Sequence, residues 1–104
     1  MFSLNKFFKP LLYNTDMEIQ KYASKEMNRM KEITANLKLN KKTKLSLHFQ
    51  DFALRYFKDG CYFYEKKQFV EAFEAFIISW SYIDAGLKLK FFQVPIKQKE
   101  WFTA

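Results

Sequence analysis

The chain offers one candidate nucleophilic pair, its single histidine, His48, and its single cysteine, Cys61. The two lie thirteen positions apart in one stretch of helical periodicity, which separates them by about 20 Å along a helix axis. A continuous helix therefore excludes the pair within one molecule, and we expect a half-exposed histidine and a buried thiol. A helical ribonuclease of the HEPN type needs a histidine four to six residues after an arginine, and none follows Arg55.

Carboxylates are the other candidates for chemistry. Glu71 and Glu74 could offer oxygens to a metal, but di-metal bundles use Glu-x-x-His pairs and the histidines are missing, so we expect a solvated face. Asp84 can form a surface ion pair with Lys88 one helical turn later. The alternatives are a partly buried carboxylate that bonds a Tyr hydroxyl or Arg55 and fixes the helical register, or a ligand contact. The sequence predicts no catalytic residue, metal site or cofactor.

Basic residues are concentrated in the first part of the chain. Residues 1–44 hold ten Lys and Arg against four Asp and Glu, whereas residues 45–104 hold eight against seven. This asymmetry favours an anionic partner, although a solvated face is the alternative, and no zinc-finger, helix-turn-helix or RNA-recognition signature is present. The candidate contacts form a stripe that continues from the first helix into the following linker: Lys21, Lys25, Arg29, Lys38, Lys41, Lys42 and Lys44.

The elements that position these side chains are helices. Two glycines and two prolines in 104 residues leave few turn formers, which favours long helices with short connections. Apolar residues recur at spacings of three and four, and they predict helices over about 12–38, 44–65 and 69–90, followed by a tail over 91–104. We expect one all-α domain over 1–104, a three-helix antiparallel up-down bundle with extended or short-helical aromatic termini.

Three residues mark the predicted boundaries and contacts of the first two helices. Asn40 can end the first helix in the left-handed conformation, and Thr43 can cap the second. Gly60 interrupts the second helix, at roughly 1 kcal/mol relative to alanine, which indicates close approach of another helix, with a local kink as the alternative. The sequence thus places a short, lysine-rich connection between the first two helices.

Aromatic residues at both ends of the chain exceed what the bundle core needs. They can pack on one another and close one end of the bundle, or they can form an exposed patch of the kind that marks association. We favour association with a second copy or another protein. The residues of this candidate interface are Phe7, Phe8, Phe91, Phe92, Trp101 and Phe102.

The run "YFKDGCYFYEKKQFVEAFEAFIISWSYIDAGLKLKFF", residues 56–92, resembles a known archaeal family of small three-helix proteins of unknown function. That family's hairpin has a Tyr-rich helix ending in Lys-Gly-Asp-Tyr and a second helix that begins with Ala-Phe and ends in Asp-Ala-Gly. Here Ala72 and Phe73 match the start of that helix, and Asp84 begins the Asp-Ala-Gly motif. The turn departs from the family pattern, because Lys67 replaces a glycine expected in the left-handed conformation and Gln68 replaces a capping Asp.

The resemblance implies an archaeal, intracellular, three-helix protein, and some relatives carry the module beside a cytidylyltransferase-like domain. No catalytic residues come with the family, so we expect no enzymatic activity. The first functional hypothesis is a protein–protein interaction module, homodimeric or docked on a larger assembly. The alternatives are an RNA- or ribosome-associated binder and an accessory to a nucleotidyl-transfer enzyme.

The expected location is the cytoplasm, since a single cysteine fits a reducing compartment. No apolar run approaches the roughly 18–20 residues of a membrane span, so a membrane partner is not expected. A small-molecule partner is not expected either.

Overall fold

The computed structural model describes residues 16–104, and it consists chiefly of three helices. These are α1 (Asp16–Asn36), α2 (Lys44–Glu65) and α3 (Phe69–Lys88), which run alternately up, down and up. The predicted all-α bundle is confirmed. The helices α1 and α3 each end two residues before the predicted boundary.

Helix α3 is the central element of the core. It packs against both other helices and supplies most of the buried side chains, whereas α1 contributes chiefly Ala23, Met30 and Ile33. The buried Ser79 hydroxyl on α3 donates to the Ala53 carbonyl of α2 at 2.6 Å, which fixes the two helices against each other. The buried residues of α3 are Ala72, Phe73, Ala75, Phe76, Ser79, Trp80, Ile83, Asp84 and Gly86.

Gly60 of α2 lies against the Phe76 ring of α3. A Cβ at this position would overlap the ring of Phe76, whose side chain is fully buried. The predicted close approach is confirmed, because the missing side chain makes room for an aromatic ring of the neighbouring helix.

The start of α2 carries a reciprocal cap. The Thr43 side chain accepts from the Ser46 backbone N–H at 3.0 Å, and the Ser46 hydroxyl accepts from the Thr43 backbone N–H at 2.9 Å. The predicted capping role of Thr43 is confirmed. Ser46 also donates to the Lys41 carbonyl at 2.5 Å, which ties the preceding linker to the helix.

Helices α2 and α3 end in the same way, each with a lysine in the left-handed conformation. Lys67 has φ 61° and Lys90 has φ 62°. After α2, Gln68 N–H donates to the Phe63 carbonyl at 2.9 Å, and after α3, Phe91 N–H donates to the Gly86 carbonyl at 2.8 Å. Both ends are Schellman motifs, with a strain of about 1–2 kcal/mol where a glycine would have none.

A short antiparallel strand pairing joins the linker between α1 and α2 to the segment that follows α3. Strand β1 (Lys38–Leu39) pairs with β2 (Phe92–Gln93), and Asn40 N–H donates to the Phe91 carbonyl at 2.7 Å. The expected left-handed Asn40 is wrong, since only Lys67 and Lys90 among the described non-glycine residues have positive φ. Asn40 instead extends the strand pairing.

The tail turns back along the bundle after Pro95. It forms a 3₁₀ helix (Ile96–Trp101), which fits the predicted extended or short-helical tail. The Trp80 indole N–H donates to the Trp101 carbonyl at 2.9 Å, and the Phe102 ring stacks on Trp80 at 5.9 Å between centroids. Within residues 16–104, no helix combines the length and apolar character needed to cross a membrane.

Candidate functional site

Lysines from two distant segments meet where β1 pairs with β2. The register sets Lys38 opposite Gln93, and the side-chain amide of Asn40 contacts the Lys90 carbonyl at 3.4 Å. All the lysines in this region are exposed. We call their surface the lysine end, and it comprises Lys38, Lys41, Lys42, Lys44, Lys88 and Lys90.

The lysine end lacks compensating carboxylates. Neither residues 37–50 nor residues 85–99 contain an acidic residue. Of the six lysines, Lys88 alone has an ion pair among the described residues, with Asp84 at 3.6 Å. The first turn of α2 begins with Lys44 and has no acidic residue, so the partial positive charge of the helix N-terminus adds to that of the lysines. Apart from Lys88, the lysines of this surface can attract an anion without first breaking an ion pair among the described residues.

The structure divides the predicted basic stripe. Lys21 and Lys25 are exposed, but Arg29 is half-buried, paired with Glu26 at 3.4 Å and placed over the Trp101 ring at 5.6 Å. The predicted continuous stripe is therefore wrong at Arg29, because the folded tail engages its guanidinium group. Lys21 lies about 22 Å along the α1 axis from Asn36, which ends the helix just before Lys38, so the two parts of the stripe are separate surfaces.

The ion pair of Arg29 is itself partly enclosed. Burial raises the pKa of the Glu26 carboxyl, and the nearby positive charges of Arg29 and Lys25 lower it in part. Arg29 therefore makes structural contacts within the chain, with Glu26 on α1 and with Trp101 of the tail.

The described members of the candidate aromatic interface pack against the bundle. Phe92 is 3% exposed, and its ring occupies the space that a Cβ at Gly86 would need. Trp101 and Phe102 are half-buried against Trp80 and Arg29. The prediction of an exposed association patch is therefore wrong for Phe92, Trp101 and Phe102. Phe7 and Phe8 lie outside the described residues.

Phe91 is half-buried like Trp101 and Phe102, but it packs against α2. Its ring meets that of Phe49 edge to face, with 5.5 Å between centroids. Phe91 directly follows Lys90, so it joins the lysine end to the aromatic side chains of α2.

Asp84 fastens the tail to α3. It is 7% exposed, and its carboxylate accepts from the Thr103 backbone N–H at 2.8 Å, the Thr103 hydroxyl at 2.5 Å and the Ala104 N–H at 3.3 Å. The ion pair with Lys88 is present alongside these bonds. The alternative partner Arg55 is wrong, because it pairs with Asp51 at 3.0 Å. The sequence held no signal for Thr103, which lies far along the chain in the tail.

The remaining candidates for chemistry are dispersed. His48 is exposed and Cys61 is half-buried, on one continuous helix that keeps them apart. Burial raises the pKa of the Cys61 thiol, which disfavours its nucleophilic thiolate form. Glu71 and Glu74 are exposed, and within residues 16–104 no group of three or more His, Cys, Asp or Glu side chains is placed to hold a metal ion.

Comparisons with known proteins address the fold and the family. The chain is similar in structure to protein AF1782 from Archaeoglobus fulgidus, whose crystal structure it matches with a TM-score of 0.66 at 22% identity. The match covers 77% of this chain and 97% of that one, and at this identity it shows the fold alone. No curated protein matches the chain. The hypothesis of an accessory role beside a nucleotidyl-transfer enzyme stays a prediction.

A family profile matches the part of the chain that contains the whole hairpin. It spans residues 21–92, from within α1 to the first residue of β2, and its family is described as a protein of unknown function, DUF357. The matched span includes the Asp-Ala-Gly motif, which begins at Asp84. The match stops at residue 92, so it leaves out most of the tail. The chain therefore belongs to the DUF357 family.

Proposed function

We propose that this protein is a non-enzymatic nucleic-acid-binding module that holds phosphates at the lysine end. The observation that carries the proposal is the β1–β2 pairing, which joins two acid-free, lysine-bearing segments into one exposed surface. Phosphate contacts from lysines give affinity with little sequence preference, because they read the charge of the backbone and not the bases. A cytoplasmic location stays a prediction.

The sequence favoured a protein partner, but the supporting aromatic side chains pack within the chain. Phe92 is buried, and Trp101 and Phe102 cover Trp80 and Arg29, so these residues are not free to anchor a partner. The lysines at Lys38 and Lys41, in contrast, are exposed and have no carboxylate partner among the described residues. The charge distribution therefore favours a polyanion.

Two charge-matched variants test the proposal. The first replaces Lys38, Lys41 and Lys42 with Gln, and the second replaces three exposed lysines elsewhere, Lys21, Lys25 and Lys58. Both variants lower the net charge by the same amount, so they differ only in where the charge is lost.

The readout is the salt dependence of binding to a labelled oligonucleotide. Each phosphate neutralised contributes about −0.7 to the slope of log affinity against log salt for a single strand, so the first variant should flatten the slope by about 2. The second variant should leave the slope close to that of the unmodified protein. Equal losses in both variants would show that overall charge, and not the lysine end, governs binding.

Self-association is a second candidate, and it rests on two exposed leucines. Leu47 and Leu54 are 44% and 37% exposed and lie seven residues apart, so they share one side of α2. A second copy could cover this pair, in keeping with the homodimer hypothesis from the sequence. Light scattering tests it: a dimer that the change Leu54→Lys dissociates would support this surface, and a strict monomer at high micromolar concentration would remove it.

A further inference from the structure

Three aromatic rings on the α2–α3 hairpin lie nearly parallel to one another. The ring centroids of Phe52 and Tyr82 are 5.5 Å apart, those of Tyr56 and Tyr82 are 6.2 Å apart, and those of Phe52 and Tyr56 are 6.4 Å apart. The interplanar angles are 20°, 14° and 30°. In a single stack of three rings, the centroids of the two outer rings would lie about twice as far apart as those of adjacent rings. Since the three distances are nearly equal, the rings instead form a compact cluster of offset, roughly parallel rings in which Tyr82 stacks on both Phe52 and Tyr56.

We call this group of Phe52, Tyr56 and Tyr82 the aromatic platform. Each of its three residues is partly exposed. The exposed His48 ring packs against Phe52 at a tilt of 57°, with 4.4 Å between the two centroids. Partly exposed aromatic rings of this kind can stack with another planar ring.

The aromatic platform is continuous with the lysine end through two further rings. Phe49 meets Tyr82 edge to face at 5.6 Å and meets Phe91 in the same way at 5.5 Å. Phe91 follows Lys90 directly, and its carbonyl accepts the Asn40 N–H at the β1–β2 pairing. A ligand held by the lysines would therefore lie beside the platform.

The charges beside the platform suit an anionic ligand. The Arg55 guanidinium lies over the Phe52 ring at 5.5 Å, and its side chain is 66% exposed. Its partner Asp51 forms a local ion pair and leaves no unpaired negative charge there. On the lysine side of the platform, residues 37–50 carry no acidic residue.

From this juxtaposition we propose that the protein binds single-stranded nucleic acid, with phosphates on the lysine end and bases stacked on the aromatic platform. The inference rests on the proposed function and deepens it by naming the form of the nucleic acid. A duplex hides its base faces within the stack, whereas a single strand presents them to aromatic side chains. Stacking accepts every base, so weak sequence preference is expected.

The test compares two labelled 12-mers that share the same number of phosphates. One is oligouridylate, and the other is an abasic strand of the same length. Stacking contributes roughly five- to 150-fold in affinity for each base engaged, so the unmodified protein should bind oligouridylate at least fivefold more tightly than the abasic strand. It should also prefer oligouridylate to a 12-base-pair duplex.

Variants at Tyr56 assign that difference to the platform. Tyr56→Leu should reduce the affinity for oligouridylate at least fivefold while leaving that for the abasic strand unchanged, and Tyr56→Phe should retain the affinity because it keeps the ring. Tyr62→Leu is the matched control. Tyr62 is 57% exposed and lies in the last turn of the same helix, at the end away from the lysine end. Circular dichroism verifies that each variant is folded.

The outcomes separate the two proposals. Equal binding of oligouridylate and the abasic strand would overturn the platform and leave the phosphate-binding lysine end standing. Binding of the duplex as tight as that of the single strand would also overturn it. If no oligonucleotide bound and an acidic peptide did, both the platform and the proposed function would be wrong.

Discussion

The two ends of the hairpin share a backbone motif but differ in charge. At each end a helix finishes with a lysine in the left-handed conformation, Lys67 at one and Lys90 at the other. We call the surface of residues 58–74 the turn end, and its exposed lysines lie among Asp59, Glu65 and other exposed carboxylates. The lysine end has no acidic residue in either of its segments. The comparison shows that the local fold does not distinguish the ends, whereas their charge does.

Each end also seats an aromatic ring against a glycine, and this gives the largest expected effects. A Cβ at Gly60 would overlap Phe76 in the core, and a Cβ at Gly86 would overlap Phe92 of β2. Gly60→Ala and Gly86→Ala should each lower the free energy of unfolding by about 1–3 kcal/mol, because the displaced ring has no other place in the packed interior. Thermal unfolding measures both changes.

These glycine variants also separate stability from binding. Gly86→Ala displaces β2 and should weaken oligonucleotide binding at temperatures where the protein stays folded, whereas Gly60→Ala should not. Equal binding by the two variants would indicate that the β1–β2 pairing does not organise the lysine end.

Loss of the Asp84 carboxylate should have an effect of comparable size. Asp84→Ala removes the hydrogen bonds to Thr103 and Ala104, and bonds to a charged group contribute about 1.5–3 kcal/mol. The tail should then become accessible to protease while the helices stay protected. Lys88→Ala removes the exposed lysine partner of the ion pair and leaves the Asp84 carboxylate in place. It should change the free energy of unfolding by no more than about 0.5 kcal/mol. Equal protease sensitivity in the two variants would contradict the role assigned to Asp84.

The smallest predicted effects come from the two left-handed lysines. Lys67→Gly and Lys90→Gly should each raise the free energy of unfolding by about 1 kcal/mol, since glycine adopts positive φ without strain. The gains should add in the double variant because the sites lie at opposite ends of α3. Binding distinguishes them: Lys90→Gly should weaken it and Lys67→Gly should not. If both changes lowered affinity equally, the contrast between the ends would fail.

Local features of the fold were predictable from the sequence. Apolar spacing predicted the helices, Thr43 predicted the start of α2, and Gly60 predicted a close helix contact. The family resemblance predicted the strained, left-handed conformation of Lys67, because the family pattern has a glycine at that position. Each of these signals depends on neighbouring residues and is therefore visible in a short stretch of sequence.

The site was less predictable because its contacts join distant parts of the chain. Strands of two residues, such as β1, are too short to show a periodic pattern. Asp84 could be identified as unusual, but its partner Thr103 could not. Arg29 shares the spacing of the exposed stripe, but the tail places Trp101 beneath its guanidinium group. The missing side chain of Gly86 makes room for the Phe92 ring, a contact that joins two parts of the fold and has no periodic signal in the sequence.

Amide chemical-shift mapping tests the central contrast most directly. A short oligouridylate would be titrated into isotopically labelled protein at low salt, and the shifts would be followed residue by residue. The account predicts that the largest shifts lie in residues 38–44 and 88–91, with little change in residues 58–74. The largest shifts at residues 58–74, or shifts spread evenly over all exposed lysines, would contradict it.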